Sequence, residues 1–137
     1  MPHARPTTDR AKEALFNILY QTFDFEETKV LDLYGGMGSM ALEFSSRGCP
    51  EVVTVDFNRK SVQYIKDVAT KLEAAVNVKQ SKVLPFLKRM GNKYDIIFAD
   101  PPYNAGPEIQ ELIETISAGN FLNSEGVFIL EHQSMTQ

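Results

Sequence analysis

Asp95-Ile96-Ile97-Phe98-Ala99-Asp100-Pro101-Pro102-Tyr103 joins an apolar run to an acid, two prolines and an aromatic ring. An apolar run of this length, uninterrupted by alternation, reads as a strand buried on both faces, as in a parallel sheet. Two prolines in succession supply no N–H and fix φ, so the ladder stops there and the next few residues are held stiffly. Open α/β sheets place their chemistry at the carboxyl ends of such strands. The carbonyls of Asp100 and Pro101 are left to accept hydrogen bonds, beside a carboxylate and a phenol ring able to stack on a flat group. That combination suits a planar amine. A plain Pro-Pro turn, with Asp100 as a turn residue and Tyr103 as packing, is the competing reading.

The remaining chain alternates strand and helix around this run. Thr7-Thr8-Asp9 offers caps for a helix to about Tyr20, with Ala11, Ala14, Leu15, Ile18 and Leu19 on one face. Lys29 to Leu33 reads as a strand, Ser39 to Arg47 as a helix closed by Gly48, and Glu51 to Asp56 as the next strand. Asn58 caps a helix carrying Val62, Ile65, Ala69 and Leu72 at helical spacing. Val76 to Gln80 alternates as an edge strand does, and a short helix spans Pro85 to Arg89. After Asp95 to Ala99 come a helix, Glu108 to Ala118, and a strand, Gly126 to Glu131. Such alternation predicts an α/β fold of the Rossmann-like kind, a mainly parallel sheet with helices on both faces. Right-handed crossovers favour strand order 3-2-1-4-5. The carboxyl ends of the first and fourth strands then lie side by side.

Composition narrows the class. The 137 residues make one domain; 43% are hydrophobic and 23% charged, ordinary for a soluble protein. No apolar run approaches a membrane span and no signal peptide is evident, so a cytoplasmic protein with no membrane partner is expected, and a monomer. Cys49 is the sole cysteine and the histidines, His3 and His132, lie far apart, so neither disulfides nor a metal are expected. A net charge of −4 confines nucleic-acid contact to local patches. Lys88, Arg89 and Lys93 read as a solvated helix end, and Met37, Met40, Phe16, Phe44, Phe86, Phe98 and Cys49 as packing.

A second motif meets the first. Val30-Leu31-Asp32-Leu33-Tyr34-Gly35-Gly36-Met37-Gly38-Ser39 is a strand, a glycine turn and a helix start, with Asp56 about 20 residues beyond Gly36. Glycines admit a ligand where a Cβ would collide, and an acid at the end of the second strand accepts ribose hydroxyls. A nicotinamide dinucleotide and S-adenosylmethionine both satisfy this pattern. Asp32 would repel a pyrophosphate but suits the cationic ammonium and sulfonium of S-adenosylmethionine. With Asp100-Pro101-Pro102-Tyr103, the reaction class is methyl transfer to an amino nitrogen.

Arg5-Pro6-Thr7-Thr8-Asp9-Arg10-Ala11-Lys12-Glu13-Ala14-Leu15-Phe16-Asn17-Ile18-Leu19, followed by the glycine turn, Asp56 and Asp100 to Tyr103, closely resembles the RsmD family nearly end to end. The family comprises S-adenosylmethionine-dependent methyltransferases of a guanine N2 amine in bacterial 16S ribosomal RNA. The resemblance implies that Asp32, Gly36 and Gly38, with Tyr34 between them, line the methionine side of the cofactor. It implies Asp56 at the ribose and Asp100, Pro101, Pro102 and Tyr103 at the target base. Arg5 and Thr7 would lie beside the pocket and Arg10 would meet RNA phosphate. The partner implied is 16S ribosomal RNA or a small-subunit assembly particle. Three departures stand out. The basic N-terminal hairpin and the C-terminal strands of the family are expected to be absent, and Lys82 falls where relatives commonly carry an acid for the adenine amine, leaving Ser81 as a substitute acceptor. Two other readings stay open: an amino-methyltransferase for DNA adenine, protein glutamine or a small molecule, and a non-catalytic adenosyl- or RNA-binding module.

Overall fold

The computed structural model describes residues 9–102 and 104–131; Arg5, Thr7 and Tyr103 lie outside them. Five helices, α1 (Asp9–Thr22), α2 (Ser39–Ser46), α3 (Arg59–Leu72), α4 (Val83–Arg89) and α5 (Gly106–Ala118), alternate with strands β1 (Lys29–Leu33), β2 (Glu51–Asp56), β3 (Val76–Gln80), β4 (Tyr94–Ala99) and β5 (Leu122–Leu130). The strands form one sheet in order β3-β2-β1-β4-β5, every pair parallel. This is the order the alternation predicts. β1 and β4 pair directly, Leu33 opposite Ala99, so the glycine turn and Asp100 leave the sheet as neighbours.

The pleat sorts the apolar runs into two cores. Val30, Val52, Ile96 and Phe98 face Phe16 and Leu19 of α1 and Met40, Ala41 and Phe44 of α2. Leu31, Leu33, Val53, Val55, Ile97 and Ala99 face Val83 and Leu87 of α4 and Leu112 and Ile116 of α5. Val62, Ile65 and Ala69 bury the inner face of α3, and the Asn58 side chain caps it by accepting from the Ser61 N–H.

Several expectations need correction. The buried residues of α1 are Phe16 and Leu19, whereas Ala11, Ala14 and Ile18 are exposed. The reason is the aromatic cluster: Phe16 packs on Phe44 at 4.7 Å, and the Arg47 guanidinium lies 4.4 Å from the Phe16 ring centroid. Those contacts turn the helix about its axis. Leu72, the last residue of α3, and Met37, in the turn before α2, are exposed rather than packed. β5 starts at Leu122, four residues early, because a bulge between Tyr94 and Ile96 absorbs Asn123 to Glu125; Glu125 takes a φ of 66°. A 3-10 turn at Phe25–Glu27, capped by the Asp24 side chain, was not foreseen.

Candidate functional site

β1 is followed by Tyr34, whose φ of 62° is left-handed, and the backbone turns through Gly35, Gly36 and Gly38 into α2. A Cβ on Gly35 would stand 2.1 Å from Thr54 Oγ1, and one on Gly38 would stand 2.9 Å from Ile65 Cγ1. These two glycines therefore let the turn lie close on β2 and α3. Gly36 has open space around it, a φ of 58°, and an N–H that donates to Asp56 Oδ2 at 2.8 Å. The other Asp56 oxygen accepts from the Asn58 N–H at 2.8 Å, so this carboxylate ties the glycine turn to the start of α3. Each oxygen retains a lone pair.

Above these strand ends lies a cavity of about 680 Å³. Tyr34, Gly36, Asp56 and Phe57 form one wall, the segment Ser81 to Pro85 another, and Asp100, Pro102 and Glu108 a third. The volume falls within the range of small-molecule sites. A second hollow of about 640 Å³ opens at the opposite ends of β2 and β3, near Pro50, Ala74 and Asn92. It lies at the amino ends of the strands, away from the switch point, and gathers no comparable set of acids.

Of the residues expected at the site, Asp32, Gly38 and the buried Pro101 are not among those lining the cavity. Gly38 is consumed by its contact with Ile65. Asp32 follows the pleat: it sits opposite Thr54 in register, fully buried, and accepts from Thr54 Oγ1 at 3.0 Å. Burial pushes the Asp32 carboxyl up to about 7 despite the Thr54 hydrogen bond, and repulsion from Asp100 and Asp56 adds to the rise. Asp100, reached by a long hydrogen bond from its N–H to the Leu33 carbonyl at 3.4 Å, is pushed up to about 6 by burial and by Glu131. A cationic ligand in the cavity beside Asp100, with Asp32 buried nearby, would draw both carboxyls back toward their ionised forms.

The Pro102 carbonyl accepts from the Ala105 N–H at 3.0 Å. Among the described residues, no hydrogen bond reaches the Asp100 or Pro101 carbonyls. Ser81 lines the cavity, its hydroxyl donating to the Lys82 carbonyl at 2.8 Å and its N–H to the Asp56 carbonyl at 3.1 Å. Lys82 lies beside it, its ammonium 5.2 Å from the centroid of the exposed Phe57 ring. Arg10 is exposed on α1. Sequence reasoning missed Phe57 and Glu108. Glu108 accepts a hydrogen bond from the Tyr34 hydroxyl, and burial together with that carboxylate holds the phenol protonated well above its usual range. The one available signal for Glu108 was an acid in the first turn of a helix, which the helix dipole explains equally well. Among the described residues no group of three His, Cys, Asp or Glu is placed to hold a metal, and no helix is long and apolar enough to cross a membrane.

The parallel sheet in this order, with its cavity at the switch point, defines a Rossmann-like S-adenosylmethionine-dependent methyltransferase fold. A family model described as Conserved hypothetical protein 95 matches residues 1–137. The chain belongs to that family, the RsmD family. It is 32% identical over 133 residues to ribosomal RNA small subunit methyltransferase D of Escherichia coli K12, covering 96% of this chain and 66% of the relative. It is 30% identical over 133 residues to the putative rRNA methyltransferase YlbH of Bacillus subtilis, covering 93% of this chain and 71% of the relative. Among solved structures, the putative methyltransferase yhhF of Escherichia coli superposes with a TM-score of 0.86 at 29% identity, over 99% of this chain and 76% of the other. The chain thus spans about two thirds of the length of the curated relatives it matches.

Proposed function

We propose that this chain transfers a methyl group from S-adenosylmethionine to the exocyclic N2 amine of a guanine in small-subunit ribosomal RNA. The observation that carries the reading is that one cavity joins Asp56 and the Gly36 turn to Asp100 and Pro102. The family membership and the names of the relatives support the same reaction class.

The residues present fit the cofactor. Asp56 keeps one lone pair on each oxygen after its bonds to Gly36 and Asn58, enough for two ribose hydroxyls. Phe57 offers an exposed ring beside it for a purine, with Ser81 as a polar neighbour. Asp32 and Asp100 supply the negative field that a fixed cation needs. Bound there, S-adenosylmethionine supplies a methyl group already activated by the sulfonium charge.

The protein's work is alignment and electrostatics. A guanine N2 amine is a poor nucleophile because its lone pair is delocalised into the ring. The Asp100 carboxylate and the Pro101 carbonyl accept its two N–H bonds, which favours the pyramidal nitrogen on which positive charge grows. Proline rigidity holds both acceptors in place before the base arrives. The extra proton leaves to water after transfer. Taking the base out of its stack costs a few kcal/mol, and stacking on Tyr103 at about 1–3 kcal/mol offsets part of that.

Calorimetry with S-adenosylmethionine tests the cofactor half, and loss of binding heat in the wild type would end the enzyme reading. Asp100→Ala is expected to keep cofactor binding and to lose methyl transfer. An unchanged rate would refute the role given to Asp100.

A further inference from the structure

We propose that Glu108 reads the target base, its carboxylate accepting the N1–H of guanine while Asp100 and the Pro101 carbonyl hold the N2 amine. The inference rests on the acceptor reading given above and names the residue that selects the base within it.

Glu108 occupies the first turn of α5, is half-buried, and lines the cavity together with Asp100 and Pro102. Its partner is a phenol rather than a cation: Oε2 accepts from the Tyr34 hydroxyl, and no Lys or Arg among the described residues pairs with it. The other acids along α5 have ordinary surface partners. Glu111 pairs with Lys88 at 3.7 Å, and Glu114 accepts from Gln110 at 3.0 Å. Glu108 alone of the three turns into the cavity.

Tyr34 explains how it is held. A non-glycine residue at a φ of 62° is in a costly conformation, tolerated where the surroundings require a side chain to be aimed. Here the left-handed turn at the end of β1 sends the phenol to the start of α5. Donation of one hydrogen orients the carboxylate without neutralising it, and Oε1 keeps its full acceptor capacity. An oriented, cation-free carboxylate on a cavity wall can only accept.

The Watson–Crick edge of guanine places an N1–H donor beside the N2 amine, whereas adenine has a lone pair at N1. Flipped bases are read along this edge. With the N2 amine at Asp100, a carboxylate on the same wall receives N1–H from guanine and repels N1 of adenine. Glu108 thereby supplies both an attractive element for guanine and a repulsive one against adenine.

The test uses an unmodified transcript of bacterial small-subunit ribosomal RNA, assembled with its ribosomal proteins, and the same RNA carrying 2-aminopurine at the position the wild type methylates. 2-Aminopurine keeps the amine and lacks N1–H. The wild type is expected to prefer guanine in kcat/KM by on the order of 100-fold, the factor that losing one hydrogen bond to a charged acceptor carries. Glu108→Gln, whose amide can offer an N–H to the bare N1, is expected to narrow the preference to under about tenfold while binding S-adenosylmethionine as before. A residue that only anchors α5 would leave the guanine to 2-aminopurine ratio unmoved. An equal rate on both RNAs by the wild type, or an unchanged ratio in Glu108→Gln, overturns the role of Glu108 alone. Absence of any N2-methylguanosine with the wild type overturns the underlying acceptor reading and the inference with it.

Discussion

Replacing Asp32 by asparagine removes a charge that the fold buries at a cost. In the folded protein the carboxyl is pushed up to about 7, chiefly by burial, against an ordinary value of 3.8. Between those two values the folded state keeps a proton that the unfolded state has lost. Stability therefore falls as pH rises through that window and is level below 3.8 and above 7. At about 1.36 kcal/mol per pH unit, the full loss is about 4 kcal/mol, and the stretch from pH 5 to 7 carries about 3 kcal/mol of it. The asparagine side chain of the variant is neutral throughout, and its carbonyl can still accept from Thr54, so the variant lacks this slope. Any fixed penalty for its extra amide hydrogens shifts the whole curve without tilting it. Urea unfolding of both proteins at half-unit steps from pH 5 to 8 isolates the effect as a changing difference, the variant gaining about 3 kcal/mol on the wild type across that span. Parallel curves would show that Asp32 does not hold a proton in the folded state and would refute the reasoning. The same variant is expected to bind S-adenosylmethionine more weakly, because a bound cation draws its favourable energy from the ionised carboxylate.

Gly35→Ala is expected to destabilise the protein by about 1–3 kcal/mol, since its Cβ would stand 2.1 Å from the buried Thr54 hydroxyl oxygen; an unfolding midpoint equal to wild type would contradict this. The kcat/KM for methyl transfer is expected to rise with pH as Asp100 and Asp32 ionise, at about 6 and about 7, and to level off above; a rate that stays flat down to pH 5 would remove the acceptor role from Asp100 and the electrostatic role from Asp32. With a net charge of −4, the chain is expected to bind RNA weakly. Tight binding that falls steeply with salt, measured by filter retention or anisotropy, would count against that.

How far the sequence was legible depends on where neighbours decide. The apolar runs of β1 and β4 and the acid at Asp56 carried their own signals, so the strand order and the meeting of the two motifs could be read from local pattern. The partner of Asp32 was not legible: adjacency along the chain points to the glycine turn, whereas the two-residue pleat sends its side chain to Thr54. Among the glycines, Gly35 makes the closest approach to β2, which depends on the Thr54 side chain and cannot be seen in a G-x-G pattern. The face of α1 was set by Phe16, Phe44 and Arg47, whose packing joins α1 to α2 and the residue that ends it. Glu108 had no motif at all; the start of α5 places it on the cavity wall, and the Tyr34 hydroxyl that orients it comes from a left-handed turn.

The central claim is the chemistry at Asp100 and Pro101. Its most direct test is nucleoside mass spectrometry of unmodified small-subunit ribosomal RNA, free and assembled, after incubation with this protein and S-adenosylmethionine carrying a labelled methyl group. The account predicts label in N2-methylguanosine, abolished in Asp100→Ala. Label in any other nucleoside, or none in RNA from a protein that binds the cofactor, would contradict it.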